Sequence, residues 1–317
     1  MFLPYNKIKE IEIELTGICN LSCPLCTRNY SHANHQKHKN IRPLNELIEQ
    51  FNLFPELNHV NIAGTVSEPT LYPYILEFVE YLLQRNSEIE IDFYSNASIL
   101  NEKLWKSLGK LFQHPNQRMI FTVCGSTQEL HQKYRVGSKL ENVLQNASWF
   151  REYSKNDECQ YIIFEYNTED SESEETKKLV NSFSKHFFIE SEGRRLLNEY
   201  NKSFSKDIYP NETRAKAINT LFVKGEKLFE NKEHKPVQIS CISFEQKRIY
   251  IDQFGKIFAC YNQAEYYPDS YIKFSIEPVS KNKLDFTSIK NFSYKDCLKC
   301  EKNIRKMIDI LELDFVC

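Results

Sequence analysis

The chain has 317 residues, with 41 basic and 43 acidic side chains and a formal net charge of −2. This balance argues against a protein that binds the nucleic acid backbone, because such proteins carry a surplus of basic residues. No apolar run approaches the roughly 20 residues that span a membrane, and residues 1–10 lack the apolar core of a signal peptide. The sequence therefore predicts a cytoplasmic protein. In that reducing compartment we expect its ten cysteines to be ligands or reactive thiols rather than disulfides.

Short apolar runs alternate with segments of helical periodicity through residues 1–190, which is typical of strand–helix units around a parallel sheet. The predicted strands are residues 9–15, 59–62, 89–94, 119–123, 160–166 and 186–189. The predicted helices are residues 44–54, 74–84, 102–112, 140–153 and 174–184. Six such units predict an α/β fold with a partial (β/α)6 TIM-like barrel. In barrels of this type the chemistry takes place at the C-terminal ends of the strands.

A different organisation is predicted for the rest of the chain. Residues 191–237 are polar and predict a helical connector, with one helix around residues 214–229. A small α+β domain is predicted at residues 238–317. Within it, two alternating segments flank a turn with Gly255 at a positive φ, which predicts a β-hairpin at residues 247–260. Residues 301–313 have the spacing of an amphipathic C-terminal helix.

Cys19, Cys23 and Cys26 lie on one short segment directly after the first predicted strand. Three thiolates can hold three corners of a cuboidal iron–sulfur cluster. Since a [4Fe–4S] cluster normally takes four thiolates, one iron would remain open to an external ligand. The alternative is a zinc site completed by a nearby histidine, because zinc takes four ligands and accepts histidine. The candidate histidines are His32, His35 and His38.

A second set of cysteines lies in the predicted C-terminal domain. The predicted hairpin brings Cys241 and Cys260 toward each other. Cys297 and Cys300 form a closely spaced pair of thiols at the start of the last predicted helix. The amide dipoles of a helix start favour the negative charge of a thiolate-bound metal site. Four thiolates make a closed site, and their number fits zinc as well as an iron–sulfur cluster.

Four segments, each directly after a predicted strand, resemble the radical S-adenosylmethionine (radical SAM) enzymes. The spacing C-x3-C-x2-C at residues 19–26 is similar to that family's signature after the first strand of a partial (β/α)6 barrel. Residues 64–71 resemble its Gly-Gly-Glu-Pro element, with only one glycine of the pair, and residues 94–97 resemble its Thr-Asn-Gly element. Residues 121–126, followed by His131 and Arg135, resemble its Ser-x-Asp-Gly pattern followed by His and Arg. The second cysteine set is similar to the truncated SPASM domain called twitch.

The resemblance implies S-adenosylmethionine bound to the open iron of one [4Fe–4S] cluster, and a second, auxiliary [4Fe–4S] cluster. The metal ligands that it implies are Cys19, Cys23, Cys26, Cys241, Cys260, Cys297 and Cys300. Glu68 is then expected to meet the amino group of the cofactor's methionine, and Thr122 and Arg135 its carboxylate, since a guanidinium binds a carboxylate with two hydrogen bonds. Further residues expected beside the cofactor are Ser95, Asn96 and Asn167.

Three cysteines remain outside the two sets. Cys124 stands where the family pattern has an aspartate that points into the barrel, so it is a candidate donor of a hydrogen atom to a substrate radical. The alternative is a small, inert buried residue. Cys159 is expected to be structural, because it lies at the start of the fifth predicted strand, away from the site. For Cys317 a tail thiol, a late ligand and a donor near the auxiliary cluster remain open.

By resemblance, the expected activity is reductive cleavage of S-adenosylmethionine to methionine and a 5′-deoxyadenosyl radical, which abstracts a hydrogen atom from the substrate. The expected substrate is a peptide or protein side chain, which is oxidised, crosslinked or epimerised. A flavodoxin- or ferredoxin-type protein is the expected electron donor. One alternative is a dehydrogenase or epimerase of a small sugar or polyol. A second, from another class, is a zinc-binding module without catalysis.

Overall fold

The computed structural model of the chain describes residues 2–24, 26, 40–190, 246–258 and 283–285. The strands in these ranges are β1 (Phe2–Pro4), β2 (Glu10–Ile13), β3 (His59–Ile62), β4 (Glu90–Ser95), β5 (Gln117–Val123), β6 (Asp157–Ile163), β7 (Lys185–Glu190), β8 (Arg248–Ile251), β9 (Ile257–Phe258) and β10 (Lys283–Asp285). Eight of them form one sheet in the order β7-β6-β5-β4-β3-β2-β8-β9, and β1 pairs with β10 in an antiparallel ribbon. Strands β2 to β7 pair in parallel, as the strand–helix alternation predicts.

The helices in the same ranges are α1 (Leu44–Phe51), α2 (Ile75–Arg85), α3 (Glu102–Leu111), α4 (Gln128–Tyr134), α5 (Leu140–Arg151), α6 (Thr168–Ser171) and α7 (Glu174–Val180). All six predicted strands and the five predicted barrel helices are present, with ends that differ by a few residues. The sequence does not predict α4, because its seven residues are too few to show a helical period. The Thr127 side chain caps this helix by accepting a hydrogen bond from the Leu130 amide, at 3.3 Å. None of the helices that the structure describes has both the length and the hydrophobicity to cross a membrane.

The hydrophobic core lies between the sheet and the helices. Alternate strand residues, such as Ile11 and Ile13, are fully buried and belong to one cluster with the apolar faces of the helices. Trp105 of α3 packs on Phe121 of β5, with 5.2 Å between the ring centroids. Cys159 is also fully buried in this cluster, as expected of a structural residue. The core therefore uses one face of each strand and leaves the other face for the barrel interior.

The interior face of the sheet is polar near the N-terminal ends of its strands. The Arg118 guanidinium donates to both oxygens of Asp92, at 2.6 and 2.8 Å, and His59 Nε2 lies 3.1 Å from the same carboxylate. Across the sheet, Arg248 of β8 forms ion pairs with Glu12 and Glu10 of β2. These pairs give the buried carboxylates of neighbouring strands basic partners and tie the strands together at this end of the barrel.

The predicted hairpin is present, but it extends the barrel sheet. Strands β8 and β9 are antiparallel, and the turn between them has Gly255 at φ 79°, as predicted. The Asp252 carboxylate accepts the amides of Phe254 and Lys256, at 2.9 and 2.8 Å, and so fixes the turn. The sequence analysis assigned this hairpin to a separate domain, whereas β8 pairs in parallel with β2. The pairing satisfies the backbone groups of an edge that β2 would otherwise expose.

Other predicted features lie outside the described residues. These are the connector helix at residues 214–229, the helix at residues 301–313, the histidines of the first metal-site alternative, and Cys241, Cys260, Cys297, Cys300 and Cys317. The small α+β domain therefore stays a prediction beyond its hairpin.

Candidate active site

The three cysteines of the first set meet at one cavity. Cys19, Cys23 and Cys26 follow β2 and line a cavity of about 260 Å³ at the C-terminal ends of the strands. The Leu21 amide donates to Cys19 Sγ at 3.5 Å, and Cys26 Sγ lies 3.9 Å from the Thr65 carbonyl oxygen. Burial raises the pKa of Cys19 to about 11 and that of Cys23 to about 12. Thiols in such an environment stay protonated at neutral pH unless a bound cation displaces the proton.

Glu14, which the sequence analysis missed, organises the loop after β3. This fully buried carboxyl follows β2 and accepts hydrogen bonds from the Thr65 amide at 2.7 Å, the Val66 amide at 3.2 Å and the Ser67 hydroxyl at 2.5 Å. Burial raises the pKa of Glu14 to about 8. The sequence signal was an acid at the strand end, where the alternation of Glu10 and Glu12 continues. Glu14 therefore holds the loop that covers one side of the cavity.

Glu68 ties the same loop to the end of β4. Its carboxylate accepts four hydrogen bonds, from the Thr70 amide at 3.2 Å, the Thr70 hydroxyl at 2.7 Å, the Ser95 hydroxyl at 2.7 Å and the Asn96 amide at 2.8 Å. The residue lines the cavity but is only 2% exposed. These contacts make Glu68 a brace between two loops, and its contact with the cofactor's amino group stays a prediction.

Asn96 links the end of β4 to the cysteine segment. Its Nδ2 donates to Asn20 Oδ1 at 3.1 Å and lies 3.8 Å from Cys19 Sγ, while its Oδ1 accepts the Ser98 amide at 3.0 Å. The next residue, Ala97, has φ 47° in the left-handed region, where glycine is the usual residue. Ser95 and Asn96 both line the cavity, so the predicted pair is brought to the cysteines.

Thr122 and Arg135 meet at the cavity, as the resemblance implies. Arg135 Nη2 donates to Thr122 Oγ1 at 2.8 Å, and this hydroxyl donates to the Ser95 carbonyl at 3.1 Å. Burial disfavours the charge of Arg135, but the neighbouring thiol groups of Cys124 and Cys23 outweigh that effect, so its pKa is raised. Among the described residues, its buried Nε has no hydrogen-bond partner. A permanent cation with a free buried donor fits a carboxylate ligand.

Cys124 is buried next to the cavity. It is fully buried among Leu21, Tyr134 and Phe164, and it is absent from the described residues that line the cavity. Cys23 belongs to the same buried cluster, so Cys124 packs beside the cysteine segment. The predicted role of Cys124 as a hydrogen-atom donor that points into the barrel stays a prediction.

Asn167 is buried away from the cavity. Its Nδ2 donates to the carbonyl oxygens of Cys124 and Ile162, at 2.9 and 3.0 Å, and its Oδ1 accepts the Phe164 amide at 2.6 Å. These contacts commit its amide to the backbone, and its predicted role beside the cofactor stays a prediction. His131 is also structural, since its ring nitrogens contact the Cys124 amide at 3.3 Å and the Ser138 hydroxyl at 2.9 Å. Burial and the charge of Arg135 lower the pKa of His131 to about 3.

A three-cysteine site at the C-terminal end of a partial (β/α) barrel is the arrangement expected of a cluster-dependent enzyme. The residues fit such a cofactor, because three thiols and a guanidinium with a free donor line one cavity. Residues 13–180 match the model of the Radical SAM superfamily. The match covers more than half of the chain, which therefore belongs to the radical SAM superfamily. A [4Fe–4S] cluster and S-adenosylmethionine are the cofactors that this membership implies.

Solved structures with the same fold include SuiB of Streptococcus suis bound to the precursor peptide SuiA. The two chains are 16% identical, with a TM-score of 0.53, over 79% of this chain and 59% of SuiB. The structure of anSMEcpe with bound AdoMet is 15% identical, with a TM-score of 0.56, over 96% of this chain and 80% of that one. A Pyrococcus furiosus protein, named tungsten-containing aldehyde ferredoxin oxidoreductase cofactor-modifying protein, is 24% identical over 104 residues. That match covers 33% of this chain and 28% of the relative, so the chain spans less than a third of it.

Proposed function

We propose that this protein uses S-adenosylmethionine and a [4Fe–4S] cluster held by Cys19, Cys23 and Cys26 to abstract a hydrogen atom from a peptide or protein side chain. The observation that carries the proposal is the convergence of these cysteines with Arg135 on one cavity. When bound and reduced, this cofactor pair supplies a 5′-deoxyadenosyl radical, which is reactive toward unactivated C–H bonds. The protein contributes orientation and the exclusion of water.

Each orienting group has a defined partner in this proposal. Arg135 and Thr122 bind the carboxylate of the cofactor's methionine, since the Arg135 Nε donor is free among the described residues. Glu14 and Glu68 keep the covering loop in place through seven hydrogen bonds, three to Glu14 and four to Glu68. A loop braced in this way keeps the geometry of the cavity fixed during turnover.

The substrate class rests on the solved structures of similar fold. SuiB was solved with a precursor peptide, and anSMEcpe was solved with bound AdoMet and the Cp18Cys peptide, at a TM-score of 0.54 over 97% of this chain. We therefore favour a peptide substrate, with a flavodoxin- or ferredoxin-type electron donor. The proposal includes an auxiliary [4Fe–4S] cluster on Cys241, Cys260, Cys297 and Cys300.

A small sugar or polyol is the second candidate substrate. The observation that favours it is the polar lining of the cavity, where Asn61, Tyr94 and Gln160 offer uncharged hydrogen-bonding groups. Such groups match hydroxyl groups as well as amides. A dehydrogenase or epimerase of a polyol would use the same cofactors.

An anaerobic assay tests the proposal. Purified protein is reconstituted with iron and sulfide, reduced with dithionite and supplied with S-adenosylmethionine, and 5′-deoxyadenosine is then measured. We expect 5′-deoxyadenosine from the wild type and none from Cys19→Ala. The matched control is Cys159→Ala, which removes a buried thiol outside the site and should retain cleavage. With both clusters, iron should amount to about eight atoms per chain. Stoichiometric zinc with no 5′-deoxyadenosine from the wild type would instead support a zinc-binding module.

A further inference from the structure

The cavity that the three cysteines line also borders a group of polar side chains on the strands, here called the polar floor. It consists of Asn61 on β3, Tyr94 on β4 and Gln160 on β6, all of which line the cavity together with the three cysteines. These residues come from three different strands and point to the interior face of the sheet. The polar floor is therefore built on rigid elements rather than on loops.

The polar floor has unused hydrogen-bonding capacity. Within the ranges that the structure describes, none of the three side chains forms a hydrogen bond with another protein group, and the Oδ1 atom of Asn61 is buried without a partner. Buried polar groups in folded proteins are nearly always hydrogen-bonded, so an unpaired group of this kind calls for a partner. Since all three groups border the same cavity, a single bound molecule can supply that partner.

The neighbouring charges are already paired and do not set the charge of the ligand. Glu12 also lines the cavity, but it forms an ion pair with Arg248. Deeper in the barrel, Asp92 is paired with Arg118 and contacts His59. The free groups are thus two carboxamides and one phenol, each of which both donates and accepts. They suit an uncharged ligand group that does the same. A carboxylate or phosphate would lack a counter-charge once Arg135 binds the cofactor, and an ammonium group would have to displace Arg248 from Glu12.

We propose that the polar floor of Asn61, Tyr94 and Gln160 binds an uncharged amide or hydroxyl group of the substrate and thereby selects the substrate. This inference rests on the proposed function, since it assigns the lower part of the same cavity to the substrate. The two sources of such a group are a peptide, through a carboxamide or a hydroxyl side chain, and a polyol. The floor holds the substrate below the three cysteines, so it also decides which carbon faces the cofactor.

Small probes test this inference without knowledge of the natural substrate. Acetamide, glycerol, acetate and ethylammonium are each added to the reconstituted full-length protein with S-adenosylmethionine, and binding is followed by saturation-transfer NMR. We expect signals for acetamide or glycerol that exceed those for acetate and ethylammonium at least fivefold. Asn61→Leu and Gln160→Leu should lose most of the signal. Gln132→Leu is the matched control, because Gln132 is exposed on α4, and it should bind like the wild type.

A variant that changes the charge of the polar floor distinguishes a loss of binding from a loss of folding. Asn61→Asp keeps the side-chain shape and should reverse the preference, with ethylammonium exceeding acetamide. Equal binding of acetate and acetamide by the wild type, or unchanged binding in the two leucine variants, would overturn the inference. Binding of acetamide alone supports an amide-bearing substrate, and binding of glycerol alone supports a polyol.

A second readout separates this inference from the proposed function. With fully deuterated acetamide or glycerol, deuterium should appear in 5′-deoxyadenosine from the wild type, and at least fivefold less in Asn61→Leu, with total 5′-deoxyadenosine little changed. If the wild type forms no 5′-deoxyadenosine, the proposed function fails, while probe binding still tests the floor. If 5′-deoxyadenosine forms but no probe binds preferentially, the floor assignment fails and the proposed function stands.

Discussion

Replacement of Glu14 by Gln should change how the stability of the protein depends on pH. Glu14 is fully buried, and burial raises its pKa to about 8 from an ordinary value of 4.5. A carboxyl group with a higher pKa in the folded protein binds its proton more tightly when the chain is folded. The free energy of unfolding therefore falls as the pH rises from about 4.5 to about 8, and it levels off above that range.

The size of the effect follows from the pKa shift. One pKa unit corresponds to about 1.4 kcal/mol, so Glu14 costs the wild type about 3 kcal/mol of stability between pH 5.5 and pH 8. Gln has the shape of Glu and cannot ionise in this range. Its oxygen can still accept the Thr65 and Val66 amides, and the Ser67 hydroxyl can rotate to accept from its amide group. The variant should therefore lack the pH-dependent loss.

Denaturant unfolding of both proteins, loaded with cofactor to the same extent, measures this difference. From pH 5.5 to pH 8.5, the free energy of unfolding of Glu14→Gln should rise relative to that of the wild type by about 3 kcal/mol. Glu129→Gln is the control, since Glu129 is exposed on α4, and its difference from the wild type should stay constant. Parallel pH curves for Glu14→Gln and the wild type would refute the argument that burial governs this carboxyl group.

The remaining predictions concern Arg135, Cys124 and Gly255. Arg135→Lys should raise the KM for S-adenosylmethionine about 10- to 100-fold in the 5′-deoxyadenosine assay, because a lysine ammonium cannot present the two parallel N–H donors with which a guanidinium binds a carboxylate; an unchanged KM would contradict the assigned role. Cys124→Ala removes a thiol that raises the pKa of Arg135 and should raise the same KM by about threefold to tenfold while the substrate product keeps its identity. Loss of product with normal cofactor cleavage would instead support Cys124 as a hydrogen-atom donor. Gly255→Ala should lower stability by about 1–2 kcal/mol in denaturant unfolding, because its φ is 79° and an added Cβ would lie 2.9 Å from the Arg42 guanidinium; equal stability would show that the turn relaxes.

Segments at strand ends were predictable from the sequence. In a parallel sheet the C-terminal ends of neighbouring strands meet at one edge, so the residues after β2, β3, β4 and β5 had to come together once the strands were assigned. For that reason the pairing of Thr122 with Arg135, and the position of Asn96 beside Cys19, agree with the structure. Periodicity also predicted the strands and the longer helices, which depend on local patterns.

Side-chain direction was not predictable in the same way. Cys124 occupies a position that the family pattern assigns to the barrel interior, and the sequence does not predict that it packs in one buried cluster with Tyr134 and Phe164. Asn167 was assigned to the cofactor, although its amide satisfies backbone groups that the turn after β6 leaves unpaired. Glu14 shows the converse, because the sequence does not predict its role. That role depends on three hydrogen-bond donors that lie more than 50 residues away in sequence. Such contacts depend on tertiary packing, and a strand or turn pattern does not contain them.

The position of the thiols bears on the outcome of the proposed reaction. A substrate radical can be quenched by a hydrogen atom only if the donor touches it. Among the described residues, the thiols that line the cavity are the three predicted cluster ligands, while Cys124 is fully buried beside them. Thiolates bound to iron have no S–H bond to give. If no other thiol reaches the substrate radical, that radical must lose an electron to an acceptor such as the proposed auxiliary cluster, and the product is then oxidised or crosslinked. Epimerisation instead requires a thiol that touches the radical, so the identity of the product tests which of the two fates applies.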